Sequence, residues 1–287
     1  MNKKCNKEDT KENNCPRLAI IGAGNMASCI IGGLINSNDH NYFSDNITVS
    51  DPKNKKLISL QQQFGIAINT NNSEACKEAD IVILAVKPQV IKMVVAEIKP
   101  VLTHRPLVIS VAAGITSGKL AKWLGKDIPV VRAMPNTPAL VRNGATGLYA
   151  NTVVSRRQRE QAESILSAIG YTTWVEEESL MDTVTAVSGS GPAYFFLLME
   201  AMIDAGVKQG LTKSIAKQLT LQTALGAAAL AKSSDADVAE LRRRVTSPGG
   251  TTEQAIQYFQ QANFAQIVTD AMDVCAERSR QLAKAFD

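Results

Sequence analysis

Leu18-Ala19-Ile20-Ile21-Gly22-Ala23-Gly24-Asn25-Met26-Ala27 is the stretch whose reading decides the fold. A short apolar run, suited to a buried strand, stops at Gly22, and Met26-Ala27-Ser28-Cys29-Ile30-Ile31 begins a helical pattern. A strand, a tight turn and a helix start share one short segment, which is the geometry of a dinucleotide site. Gly22 permits the turn. Gly24 lets the backbone approach a pyrophosphate with no Cβ in the way. Ala27 stands where a third glycine is usual and still allows close helix–strand packing. The helix start then presents free N–H groups and positive dipole to phosphates. A lone Gly-x-Gly-x-x-Ala also fits an ordinary βα turn; the strand before it, the helix after it and a βαβ continuation give it meaning.

That continuation follows. Ile47-Thr48-Val49-Ser50 reads as a strand, and Pro52 can open a helix over 53–64. Asp51, just past the second strand, sits where an acid bonds the ribose 2′-hydroxyl of NAD. Lys53, Lys55 and Lys56 beside it suit a 2′-phosphate instead, and a plain helix cap is the structural alternative. Residues 65–68 read as a strand, and Asn71-Asn72-Ser73 as the cap of a short helix to 79. The unbroken apolar run 81–86 reads as a buried strand, ending at Lys87-Pro88. Ligands bind beyond the carboxyl ends of such strands, which places Ala85, Val86, Lys87 and Pro88 in the crevice. Lys87 is a tempting acid, but a phosphate, ribose or carboxylate contact is the simpler role. After a strand over 106–111, the small residues Ala112-Ala113-Gly114 leave room for a nicotinamide ring. A strand over 128–133 leads into the rigid loop Met134-Pro135-Asn136-Thr137-Pro138. A strand over 146–150, a helix over 155–169 and a strand over 171–175 complete this half. The acidic run Glu176-Glu177-Glu178 reads as a solvated hinge.

From Leu180 on, the pattern is helical. Ser188-Gly189-Ser190-Gly191-Pro192 is a turn with Pro192 at a helix start. The helix after it is apolar nearly all round, which suits a subunit interface or a large internal core. Val245-Thr246-Ser247-Pro248-Gly249-Gly250-Thr251-Thr252-Glu253 is a glycine loop feeding a helix, with Thr251 and Gln254 spaced as a capping box. Such a corner binds an anion, or is simply a well-capped helix.

The totals exclude several classes. An apolar share of 45% supports a large core, and a scattered net charge of +4 gives no basic face for nucleic acid. No apolar run approaches the roughly 18 residues of a membrane span. Residues 1–16 lack the apolar stretch of a signal peptide and read as a disordered tail. The five cysteines are odd in number and scattered, which suits a reducing cytoplasm and no structural metal. The two histidines, His40 and His104, have no partner at ligand spacing.

The chain from Arg17 onward resembles the pyrroline-5-carboxylate reductase family, through the Gly22–Ala27 turn, Ala85-Val86-Lys87-Pro88, Ser188-Gly189-Ser190-Gly191-Pro192-Ala193-Tyr194 and residues 245–252. The loop Met134-Pro135-Asn136-Thr137-Pro138 also matches. The resemblance implies an α/β Rossmann-type doubly wound domain over 17–178 and an all-α dimerisation and substrate domain over 179–287. It implies that Ile21, Gly22, Ala23, Gly24, Asn25 and Met26 bind the pyrophosphate. Asn72 and Ala85, Val86, Lys87 and Pro88 would contact the ribose and nicotinamide side, with Ala112, Ala113 and Gly114 beside the ring. Ser247 and the amides of Gly250, Thr251 and Thr252 would hold the substrate carboxylate, with the Thr252 hydroxyl on the ring nitrogen and Asp235 nearby. The implied reaction is reduction of 1-pyrroline-5-carboxylate to L-proline by NADPH, with NADH as the alternative that Asp51 favours. The family implies a homodimer, and decamers of such dimers. Two rivals remain: a related imine or β-hydroxy-acid reductase, and a non-catalytic nucleotide-binding regulator. The hydroxy-acid branch lacks the lysine those enzymes place on the interdomain helix.

Overall fold

Eight short strands, mostly β-branched and apolar, build one sheet: β1 (Leu18–Ile21), β2 (Ile47–Ser50), β3 (Ala67–Asn69), β4 (Ile81–Leu84), β5 (Leu107–Ser110), β6 (Val130–Met134), β7 (Gly144–Ala150) and β8 (Gly170–Trp174). Their order is β3-β2-β1-β4-β5-β6-β7-β8 in this computed structural model, which describes residues 15–37 and 42–284. Pairs from β3 to β6 are parallel, β7 runs antiparallel to β6, and β8 is parallel to β7. The order reverses between β1 and β4, the switch point at which a doubly wound sheet opens a crevice.

Both faces of the sheet are covered, so β1 and β4 are buried at every position. Ile20, Val49, Ile83 and Ile109 face α1 (Asn25–Asn36), α2 (Asn54–Phe64) and α6 (Arg156–Ser167). Ile21, Val82, Leu84 and Val108 face α3 (Asn72–Cys76), α4 (Pro88–Ile98) and α5 (Ser117–Leu124). Each fully buried Ile, Leu or Val contributes about 1.5–3 kcal/mol of apolar transfer, so these two layers fix the register.

The remaining helices are α7 (Leu180–Val184), a π-helical turn (Thr185–Gly189), α8 (Gly191–Lys208), α9 (Lys213–Ser233), α10 (Val238–Arg244), α11 (Thr251–Gln261) and α12 (Phe264–Lys284). Contacts divide the chain at Gly189: the residues up to it, with those from Cys275 on, form one unit, and Ser190–Val274 a second. The acidic run 176–178 therefore lies inside the first unit, not at a hinge. In the second unit α8 and α9 pair through Ala216 and Thr220, while Phe195, Phe196 and Leu197 stay more than 60% exposed. A single copy of this unit builds almost no core.

Two expectations change. Within the helical stretch Leu180–Lys208 an 18-residue window, of mean hydropathy 1.2, is long and apolar enough by length and composition alone to cross a membrane. Cys15 and Pro16, expected in the tail, are half-buried, and the Asn46 side chain donates to the Cys15 carbonyl at 3.2 Å. Residues 1–14, with Cys5, and His40 lie outside the described residues.

Candidate cofactor and substrate loops

The turn after β1 is held by backbone needs. Gly22 has φ +104°, and its N–H donates to the Ser50 carbonyl at 2.7 Å. A Cβ there would lie 2.5 Å from the Ala85 carbonyl oxygen. Gly24 is the N-cap of α1 and offers no side-chain cap, while a Cβ on it would meet nothing within 4 Å. The first amides of α1 thus have no acceptor from their own helix. Ala27 is fully buried against the sheet. A small cradle with free N–H groups at a helix start fits a pyrophosphate.

Asp51 is neither a helix cap nor turned outward. The N-cap of α2 is Lys53, with no side-chain bond, and Pro52 precedes the helix. One Asp51 oxygen accepts from the Ala23 N–H at 2.9 Å and the other from the Lys53 N–H at 2.8 Å. The carboxylate clasps the dinucleotide turn to the end of β2. Asn72 sits nearby: its Oδ1 accepts from Ser50 Oγ and its Nδ2 donates to Glu97 Oε2, both at 2.8 Å. Burial pushes the neighbouring Cys76 thiol up to about 12, with the Glu97 charge adding to it.

Ala85, Val86, Lys87 and Pro88 leave the carboxyl end of β4 directly beside Gly22, and Ala85 N–H still donates to Ile21 at 2.8 Å. Lys87 is exposed as the N-cap of α4, with Pro88 in the first turn. After β5, Ala112 is buried, Ala113 is exposed, and Gly114 has φ +75° with the last turn of α12 behind it. The first unit therefore gathers Ile21–Met26, Asp51, Asn72, Ala85–Pro88 and Ala112–Gly114 along the carboxyl edge of its sheet.

Two polar nodes there were not foreseen. Glu178 accepts from Ser117 N–H at 2.6 Å and Ser117 Oγ at 2.7 Å, and lies 3.4 Å from the guanidinium of Arg132, whose side chain is 5% exposed. The signal was Arg132 itself, a charge inside an apolar strand, which needs a buried partner. Asn136, in the loop after β6, accepts from Ala145 N–H and donates to the Ser188 carbonyl of the π turn, both at 2.9 Å.

In the second unit the loop between α10 and α11 has Gly249 at φ +69°. The expected Thr251–Gln254 capping box does not form. The positive φ puts Gly250, which has no side chain, at the N-cap, so Thr251 is already helical. Glu253 instead reaches back to accept from Gly249 N–H at 2.8 Å. Gly250 N–H is committed to the Ser247 carbonyl at 3.0 Å, which leaves the amides of Thr251 and Thr252 as the free donors of the corner. Thr252 is exposed. Asp235 is exposed in the link before α10, whose cap is Asp237. Hydrogen bonds from Arg243 and Arg244 hold the Glu240 carboxyl below its ordinary range.

A family model described as pyrroline-5-carboxylate reductase dimerisation matches residues 178–282. Another, described as NADP oxidoreductase, coenzyme F420-dependent, matches residues 17–114. The chain is 52% identical to a pyrroline-5-carboxylate reductase of Pseudomonas aeruginosa over 94% of its own length and 97% of the relative's. It is 37% identical to that of Escherichia coli over 93% and 98%. Among solved structures, the pyrroline-5-carboxylate reductase of Coxiella burnetii superposes with a TM-score of 0.89 at 45% identity, over 94% of this chain and 99% of that one. The Plasmodium falciparum pyrroline carboxylate reductase with NADP bound gives 0.81 at 32%, over 93% and 98%. Sheet order, glycine turn and these likenesses converge: the chain belongs to the pyrroline-5-carboxylate reductase family.

Proposed function

We propose that this protein reduces 1-pyrroline-5-carboxylate to L-proline with NAD(P)H. The observation that carries the reading is the glycine turn: a cradle too tight for any side chain at Gly22, open at Gly24, with helix-start amides that no side chain claims. That corner suits a dinucleotide diphosphate. The exposed Ser247–Thr252 corner, with two free amides and three hydroxyls, suits a small carboxylate.

The nicotinamide supplies the hydride. The protein's work is placement. Amides of the turn hold the diphosphate, and Ala112, Ala113 and Gly114 leave space for a flat ring. Ser247 Oγ and the amides of Thr251 and Thr252 fix the substrate carboxylate. The Thr252 hydroxyl oxygen accepts from the protonated imine nitrogen, so the electrophilic iminium persists while the hydride arrives. An iminium needs no strong general base, which accords with the scarcity of histidines. Orientation of this kind supplies about 7–11 kcal/mol of a barrier.

The apolar faces of α8 and α9 support a homodimer in which a second copy covers them, and decamers of such dimers are part of the same proposal. That role also accounts for the apolar character of Leu180–Lys208 without a membrane. The scattered cysteines support a cytoplasmic setting.

The test is oxidation of NADPH and of NADH on one preparation, with pyrroline-5-carboxylate added last. A loss of absorbance at the nicotinamide band that depends on this substrate is expected, with the faster cofactor naming the preference. A flat trace with both cofactors refutes the reading.

A further inference from the structure

The motif around Ser188–Gly189 and the Met134–Pro138 loop are built together. Thr185–Gly189 is a single π-helical turn, a widened turn that a chain rarely adopts and that concentrates at functional sites. It is braced from inside: Thr185 Oγ1 donates to the Met181 carbonyl at 2.8 Å and Ser188 Oγ to the Val184 carbonyl at 3.0 Å. It is seated from outside at three points. A Cβ on Gly147 would lie 2.5 Å from Val184, so β7 can carry no side chain there. A Cβ on Gly189 would lie 2.6 Å from the Met134 methyl, so the side chain of the loop before Asn136 packs directly on the turn. Asn136, 9% exposed, joins the Ser188 carbonyl to Ala145 N–H.

The place of this seat matters. Asn136 follows the carboxyl end of β6, and β6 pairs with β5, whose own carboxyl end runs into Ala112–Gly114. Loops leaving adjacent parallel strands are neighbours, so the π turn is anchored beside the loop that the proposed reaction gives to the nicotinamide ring. Resting on that functional reading, we propose that Asn136 is a positioning residue for hydride transfer: its side-chain amide seats the π turn as a wall of the reacting end of the crevice. Its two ends act separately. The oxygen orders its own loop through Ala145, and the nitrogen holds the turn through Ser188.

Asn136→Asp separates them. A carboxylate still accepts from Ala145 N–H but meets the Ser188 carbonyl with like partial charge, so only the seat is lost. Asn136→Ala loses both. The readouts are kcat and KM for pyrroline-5-carboxylate, NADPH affinity by fluorescence titration, the melting temperature, and the deuterium isotope effect with 4-deuterated cofactor. Asn136→Asp should remain folded, bind NADPH within about twofold of the parent, and lose about ten- to a hundredfold in kcat, the scale of a misplacement of about 1 Å. Its isotope effect should rise as the hydride step becomes limiting. An Asn136→Asp enzyme with parental kcat overturns the proposal, as does a parallel fall of kcat, NADPH affinity and melting temperature, which marks a purely structural residue. A parent protein that oxidises neither NADPH nor NADH with this substrate overturns the functional reading and this proposal with it; an active parent with an unimpaired variant overturns this proposal alone.

Discussion

Replacing Gly22 by alanine places a methyl group 2.5 Å from the Ala85 carbonyl oxygen, on a backbone with φ +104°. The dihedral strain alone costs about 1–3 kcal/mol for a residue with a Cβ. The clash is with the backbone of Ala85, which leaves the buried strand β4 and is tied by its own N–H to the Ile21 carbonyl at 2.8 Å, and such overpacking adds about 1–3 kcal/mol. The sum, about 2–6 kcal/mol, is a large share of a stability of about 5–15 kcal/mol. At about 2–4 °C per kcal/mol for a chain of this size, the melting temperature should fall by about 4–24 °C. Gly24→Ala is the control within the same motif. Its φ is −87°, and a Cβ there meets nothing within 4 Å. It should melt only about 2–4 °C below the parent, because alanine is a poorer N-cap than glycine by about 1 kcal/mol. Its methyl instead intrudes where the diphosphate approaches, so it should raise the KM for NADPH. Thermal melts of the apo proteins, followed by cofactor titration, separate the two. Equal loss of melting temperature in both variants, or a thermally silent Gly22→Ala, refutes the division of labour.

Further outcomes follow from the polar nodes. Glu178→Gln removes the carboxylate beside a nearly inaccessible Arg132 and should cost about 3–5 kcal/mol in urea unfolding, with the pair Glu178→Gln and Arg132→Met losing less than the sum of the singles. Asp51→Asn swaps one of the two backbone acceptors for a donor; it should raise KM for NADH and NADPH together, whereas a change confined to their ratio would return Asp51 to reading the ribose. Thr252→Ala should lower kcat while NADPH affinity by calorimetry stays within about twofold, and equal loss of both would contradict a contact with the imine nitrogen.

The first half of the fold was readable because its signals are local. A four-residue apolar strand ending at a glycine, with a helix behind it, has few alternatives, and the same holds for β4 before Lys87-Pro88. What failed was long-range. Glu178 looks like its solvated neighbours until the chain brings Ser117 and Arg132 to it. Asp51 has the position of a ribose ligand, and its added hold on Ala23, 28 residues earlier, is visible only in three dimensions. The capping box failed for a local reason of another kind: the left-handed Gly249 moves the helix start by one residue, and spacing alone does not register that.

The helical unit shows what a nearly coreless bundle entails. With Ala216 and Thr220 its chief interior side chains among the described residues, little apolar burial holds its helices in a single copy. Mass action then bears on its integrity: each tenfold dilution towards the dissociation constant of a covering partner removes about 1.4 kcal/mol of support, and apparent melting temperature should become a function of enzyme concentration. For this chain dilution should act as a denaturant, and first on the helices of the second unit.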